Sequence, residues 1–267
     1  PPPAATHARS KAGPPPLARG SSVLEDEDAI WAADDMDDAR RADAEAIVAA
    51  QGRVLAPFWV EKYDREAAKA WDRFYRRTSV APYKDRHYLD VNFPGAFDAR
   101  RGVALEVGCG CGSAAAPILR DHDGWRVVAI DFAASAVERL RARRLDRVEV
   151  LLCDVVKDAL PCDGVDVVLC LFVLSSIAPG ALPGVVAKLG AALKPGGRLV
   201  VYGPFKVDGG FTTESNAAFD ASLRQRDPEW GYRCVSELEA EAAKHGVTLR
   251  ERREMPANNL LLVFEKQ

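Results

Sequence analysis

"LEVGCGCGSA", residues 105–114, is the stretch on which the fold turns. A short apolar strand runs into three glycines at alternate positions, Gly108, Gly110 and Gly112, and small residues then open a helix. Glycine tolerates left-handed backbone and lets a ligand approach the main chain closely. The spacing is G-x-G-x-G. A dinucleotide-binding loop would carry G-x-G-x-x-G, and Ser113 stands where its third glycine would pack helix on strand. A nucleoside-triphosphate loop would need G-K-[ST], which does not follow. Taken alone, such a loop also suits a purely structural strand-to-helix turn.

The pattern around it repeats. "WRVVAID" (125–131), "VEVLLCD" (148–154), "VDVVLCLF" (165–172) and "RLVVYG" (198–203) read as short, nearly continuous apolar strands. Helical stretches near 113–120, 133–144 and 180–193 separate most of them, so a parallel sheet covered by helices on both faces is expected. Beyond 204 the sequence predicts helices over 213–226 and 235–245, then strands 247–252 and 259–264 joined by "EMPANN". Asp131 and Asp154 stand at the carboxyl ends of the second and third strands, where ligands bind in doubly wound sheets. Asp131 is placed to hydrogen-bond two ribose hydroxyls and Asp154 to accept from an exocyclic amine. Asp131 also precedes "FAASAVERL", where a helix cap is the plainer reading.

Composition narrows the classes. A chain of 267 residues with 48% hydrophobic and 28% charged residues suits one sizeable folded core. No apolar run of about 18 residues exists to span a membrane. Six cysteines, at 109, 111, 153, 162, 170 and 234, form no CxxC pair, and the four histidines are not near a cysteine pair, so no metal site is expected. Buried reduced thiols suit a reducing compartment. The net charge of −3 hides an asymmetry: +3 over residues 1–22, −8 over 23–50, and +2 over the remainder. A mildly basic body is compatible with an anionic partner.

Residues 1–56, Pro/Ala-rich and then acidic, are expected to form a disordered arm. Their acid-free start also resembles the remnant of an organelle transit peptide, so the cytoplasm is the expected location and an organelle the alternative. In "EKYDREAAKAWDRFYRR" the spacing of Tyr63, Ala67, Trp71 and Phe74 puts them on one helix face. "ERLRARRLDR" (138–147) reads as a solvated basic face rather than an RNA contact.

"LKPGGRLVV" (193–201), together with the ExGxGxG loop and the two acids, resembles the class I S-adenosylmethionine-dependent methyltransferases. That implies a doubly wound, mostly parallel seven-stranded sheet with an antiparallel C-terminal strand, and S-adenosyl-L-methionine as cofactor. Over residues 58–200 the match is closer still. "REAAKAWDRFYRR…YKDRHYL", "AIDFAASAVE", "LCDVVKD" and "VDVVLCLFVLSSIAP" resemble the tRNA N3-methylcytidine methyltransferases. The resemblance implies that Trp71 and Tyr75 close over the cofactor, while Gly108, Asp131, Asp154, Val155 and Leu171 line its pocket; Gly110 of the glycine loop is expected in the same crevice. Lys84, Asp85, Arg86 and His87 match a K-D-R-H motif at the substrate entrance. It further implies tRNA as partner, with a helper protein such as an aminoacyl-tRNA synthetase in some members.

The C-terminal third departs from that family. Its G-P-F, E-S-N-x-x-F-D, D-P-x-W-G and M-P-A-N-N segments resemble a separate, poorly characterised methyltransferase-like family. The expected organisation is a domain over 57–267, with a lid helix and substrate loop at 57–102 and an acceptor-side segment at 204–267.

The chemistry can be stated for each group. Cytosine N3 carries a lone pair and needs no prior deprotonation, but its ring becomes cationic on methylation. Asp85 is the candidate to stabilise that charge. Lys84 and Arg86 would hold phosphates, and the same loop could instead be braced by an Asp–Arg pair. Trp71 and Tyr75 could face a sulfonium through their rings or merely pack the helix down. Asn216, Asp220, Trp230 and Arg233 offer polar and stacking groups to an acceptor. The leading reading is N3-methylation of tRNA cytidine. The alternatives are a methyltransferase for a small molecule or protein, and a non-catalytic binding module.

Overall fold

Runs that are apolar throughout become strands buried on both faces. In β1 (Gly102–Val107), β2 (Trp125–Asp131) and β4 (Val165–Leu171) most side chains are buried, the signature of strands covered on both sides. β3 (Val148–Leu152) and β6 (Val247–Met255) mix exposed with buried positions. They are the two edges of a seven-stranded sheet ordered β3-β2-β1-β4-β5-β7-β6, with β5 spanning Leu193–Gly203 and β7 Asn259–Lys266. β7 runs antiparallel to both β5 and β6, so the expected single antiparallel C-terminal strand is present. Charges on the β6 edge (Arg250, Glu251, Arg252, Arg253) discourage pairing with another chain. The computed structural model describes residues 57–77, 95–97, 99–227 and 229–267, with side chains from 66 onward and not that of Arg226.

Six helices accompany the sheet among the described residues: α1 (Pro57–Arg77), α2 (Ala115–Asp121), α3 (Ala134–Ala142), α4 (Leu182–Ala192), α5 (Glu214–Arg226) and α6 (Val235–Ala243). Leu189 of α4 and Leu238 of α6 join one core with Leu105, Val168 and Phe264. Ile118 of α2 and Leu140 of α3 join the opposite core with Trp125, Leu169 and Leu261. Truncating one of these buried leucines to alanine would cost about 2–5 kcal/mol. β1 and β4 are parallel neighbours from which the strand order runs outward in opposite directions, and a crevice opens there at the carboxyl ends of the strands.

Three details differ from the expectation. On α1 the inward face carries Ala67, Trp71 and Tyr75. Tyr75 is buried and Phe74 is 38% exposed, because Tyr75 is drawn against the glycine loop. The four residues Lys194–Gly197 are looped out of β5: Val165 pairs with Leu193, and pairing then resumes at Val167 with Arg198. The basic stretch 138–147 is exposed at most positions, as expected, but three of its arginines also reach back to main-chain carbonyls. Arg141 donates to the Val150 carbonyl, Arg143 to Cys111 and Gly112, and Arg147 to Leu119, His122, Asp123 and Trp125.

The glycine loop is held on both sides. Gly112 has φ +79°, and a Cβ there would lie 2.2 Å from Leu140 Cδ1. Gly196 has φ +74° but open space around it. Gly112→Ala is therefore predicted to cost about 2–4 kcal/mol from backbone strain plus overpacking, and Gly196→Ala only about 1–2 kcal/mol. Urea denaturation of the two variants measures the difference; equal losses would contradict the packing argument.

Candidate functional site

The crevice is an open cleft with about 1150 Å³ of empty space including its mouth. Its floor is the end of β1 and the glycine loop, with Glu106, Gly108 and Gly110. Both glycines have positive φ, +65° and +53°. A Cβ on Gly108 would meet Val173 Cγ2 at 2.4 Å, and one on Gly110 would meet the Tyr75 hydroxyl at 2.7 Å. The loop can sit this close to its neighbours only as glycine.

Asp131 ties the loop down. Its Oδ2 accepts from the Gly110 N–H and its Oδ1 from the Ala133 N–H, both at 2.9 Å. Burial raises its pKa, and the N–H groups of Ala133, Gly110 and Phe132 pull it back. The helix-cap reading holds only in part: α3 has no capping side chain at Ala133, and Asp131 takes the Ala133 N–H itself in a turn that leads into the helix. Asp131 also lines the cleft, and a carboxylate offers about four acceptor positions, so the turn leaves capacity for a ligand. A second acid pins α1 to the same helix end. Asp72 Oδ1 accepts from the Ser135 N–H at 2.8 Å, which lowers the Asp72 pKa together with its other Ser135 and Arg76 contacts.

The opposite wall comes from the turns after β3 and β4. Asp154 Oδ1 accepts from the Val156 N–H at 2.9 Å, and Lys157 approaches its Oδ2 at 3.4 Å. Lys188 of α4, which sequence reasoning missed, holds this turn from below. Its ammonium donates to the carbonyls of Val155, Val156 and Asp158 at 3.0, 2.8 and 2.7 Å. A lysine on a helical pattern gives no sign in sequence of which loop it will reach. After β4, the turn Leu174–Ser176 is held by the C-terminal segment: Gly231 N–H donates to Ser175, and the Arg233 guanidinium to Leu174 and Ile177.

All eight residues expected on the cofactor side, Trp71, Tyr75, Gly108, Gly110, Asp131, Asp154, Val155 and Leu171, line this cleft. Lys84, Asp85, Arg86 and His87 lie outside the described residues. Asn216 and Trp230, expected on the acceptor side, are not among the residues that line it. Asn216 is buried and its amide is committed: Nδ2 donates to Thr212 and to the Asn258 carbonyl, and Oδ1 accepts from the Tyr232 hydroxyl. Trp230 packs behind the cleft against Trp71, ring centroids 5.6 Å apart. Asp220, fully buried, accepts from Arg224 and the Tyr232 N–H. Arg233 is buried, and burial followed by the Arg224 charge lowers its pKa to about 10. These polar groups are tied into hydrogen bonds within the protein.

Among the described residues no group of three or more His, Cys, Asp or Glu is placed to hold a metal ion, and no helix is long and apolar enough to cross a membrane. All six cysteines are free. Burial lifts the Cys109 thiol well above its ordinary range and Cys170 to about 12, so neither is a poised nucleophile.

Strand order, glycine loop and carboxyl-edge cleft are those of the class I S-adenosylmethionine-dependent methyltransferase fold. An O-methyltransferase family protein from Burkholderia thailandensis superposes with a TM-score of 0.62 at 21% identity, covering 85% of this chain and 69% of that one. CalO1, a methyltransferase in calicheamicin biosynthesis solved in its SAH-bound form, gives 0.60 at 19% identity, covering 84% and 67%. A putative methyltransferase solved with the Haloferax volcanii Trm112 methyltransferase activator gives 0.55 at 18%, covering 76% and 96%. The chain belongs to the family described as "Protein of unknown function (DUF938)", which matches residues 94–266. It is also similar to the tRNA N(3)-methylcytidine methyltransferase trm141 of Schizosaccharomyces pombe, 34% identical over 158 residues, 55% of this chain and 63% of the relative. The human tRNA N(3)-cytidine methyltransferase METTL6 is 34% identical over 155 residues, 54% and 55% of the two chains. The chain thus spans less than two thirds of these relatives' length.

The Lys188 clamp gives a direct test. Lys188→Met removes three hydrogen bonds from a partly exposed cation and is predicted to cost about 1–2 kcal/mol. Amide exchange at residues 155–158 should quicken selectively; unchanged protection there would show that the turn does not depend on Lys188.

Proposed function

We propose that the protein is an S-adenosylmethionine-dependent methyltransferase whose acceptor is N3 of a cytidine in tRNA. The observation that carries this reading is the convergence of Trp71 and Tyr75, from outside the sheet, with the glycine loop and both acids on one cleft. The 34% identity to tRNA N(3)-methylcytidine methyltransferases supports the acceptor. The cleft fits the cofactor on its own terms: a glycine turn that brings main chain to its floor, a carboxylate with acceptor capacity left, and two ring systems along its lining.

When bound, S-adenosylmethionine supplies a methyl group activated by a sulfonium cation. Asp131 would accept from the ribose hydroxyls and Asp154 from the exocyclic amine, while the turn at Gly108 and Gly110 would present main chain to the cofactor. The faces of Trp71 and Tyr75 favour a nearby cation through their quadrupoles. Lining up acceptor, methyl and sulfur accounts for much of the barrier reduction, which calls for the rigid turns described above. Cytosine N3 attacks without a base, and the Asp85 carboxylate would stabilise the ring cation that results. Lys84, Arg86 and His87 would meet the tRNA backbone. The target base must be unpaired or flipped out to reach the cleft. A helper protein belongs to this proposal, as does a reducing compartment such as the cytoplasm for a chain with six free thiols.

A second reading, transfer to a small molecule or protein, has its own support. The family match lies over 94–266 and leaves out α1, whose rings carry the tRNA resemblance, and solved neighbours include O-methyltransferases. The test is incubation of the full chain with labelled S-adenosylmethionine and total tRNA, with and without cell extract, followed by nucleoside mass spectrometry. Labelled 3-methylcytidine is expected, with Arg86→Ala removing most of it. Absence of label in tRNA under both conditions would favour the second reading.

A further inference from the structure

Phe172 closes β4, where a buried apolar strand meets the cleft. Its φ is +60°, left-handed backbone that a bulky residue rarely adopts. Strain of this kind persists only where the surroundings over-determine it, and it gathers at functional positions. Here two contacts hold it. The Phe172 N–H donates to the Tyr202 carbonyl at 2.7 Å. Its ring stands edge-to-face on Tyr202, centroids 4.8 Å apart at 77°, and the Tyr202 ring is itself buried. The neighbouring Leu171 and Leu174 are buried, whereas Phe172 is 39% exposed. Four large apolar side chains are exposed among the described residues, Phe74, Leu152, Phe172 and Phe219, and of these Phe172 alone lines the cleft.

We infer that Phe172 is a specificity-determining residue that stacks the acceptor, and that the acceptor is therefore a planar heteroaromatic ring. Normal backbone at this position would redirect the side chain. The left-handed turn instead presents an aromatic surface to the cleft, braced from behind by Tyr202. Stacking suits a base of any identity, since each offers a π-face, and it leaves in-plane atoms such as a ring nitrogen aimed at the methyl group. The polar C-terminal residues first expected to meet the acceptor are committed elsewhere, which leaves this part of the wall to an apolar contact. This inference rests on the proposed methyltransferase reading and adds the residue that holds the ring.

The test uses the full chain, total tRNA as acceptor, and the variants Phe172→Leu and Phe172→Tyr. Leucine keeps apolar bulk against Tyr202 and the same backbone demand but removes the aromatic face; tyrosine keeps it. Phe172→Leu should raise KM for tRNA about tenfold, the scale of one lost base stack. Affinity for S-adenosylmethionine by calorimetry should stay within about twofold and Phe172→Tyr should stay near wild type in both. Wild-type transfer that Phe172→Leu leaves unchanged would overturn the stacking role while the tRNA reading stands. Parallel losses of cofactor affinity in both variants would also overturn it, marking a structural residue. Wild-type protein that methylates no tRNA, with or without cell extract, would overturn the proposed function and this inference with it.

Discussion

The carboxylate of Asp131 joins the two turns from which the cleft is made. One oxygen takes the Gly110 N–H of the glycine loop and the other the Ala133 N–H at the start of α3. Without it, a loop of three left-handed glycines would have little to choose between conformations, since glycine's freedom is also its entropic cost. The carboxylate is buried at some expense, seen in its raised pKa, and hydrogen bonds from the main chain offset that expense. Arg143 adds support from the other side by donating to the carbonyls of Cys111 and Gly112. Asp72 then brings α1, with Trp71 and Tyr75, onto the same end of α3. Loop, helix end and α1 form one hydrogen-bonded unit.

The C-terminal segment makes a second unit, and its parts explain one another. The E-S-N motif holds the hairpin tip: Asn216 donates to the Asn258 carbonyl, and Asn258 to the Ser215 hydroxyl. The tip needs holding because Ala257 and Asn258 both have positive φ. Asp220 receives the Tyr232 N–H, so α5 fixes the following strand-like segment, and Arg233 then braces the turn after β4. Trp230 packs against Trp71, ring planes tilted by 31°, and links this unit to α1. The segment shapes the cleft by holding its walls.

The fold was legible because its signals are local. Strand runs, the glycine loop and acids at strand ends lie within a few residues of what they determine, and each of the residues expected on the cofactor side falls on the cleft. What could not be read was how polar side chains are used. Asn216, Asp220 and Arg233 look like ligand-binding groups by type, but their partners stand up to 59 residues away and inside the protein. The same blindness concealed Lys188 and the bonds from Arg141, Arg143 and Arg147 to carbonyls. Phe74 and Tyr75 are adjacent, and helical spacing could not decide between them; contact with the glycine loop did.

Calorimetric titration of S-adenosylmethionine into the full chain and into Asp131→Ala tests the central claim most directly. The account predicts measurable binding to the wild type and a loss of more than about tenfold, roughly 1.4 kcal/mol, in the variant, with the fold retained by circular dichroism. No detectable binding to the wild type, or equal affinity in the two proteins, would contradict it.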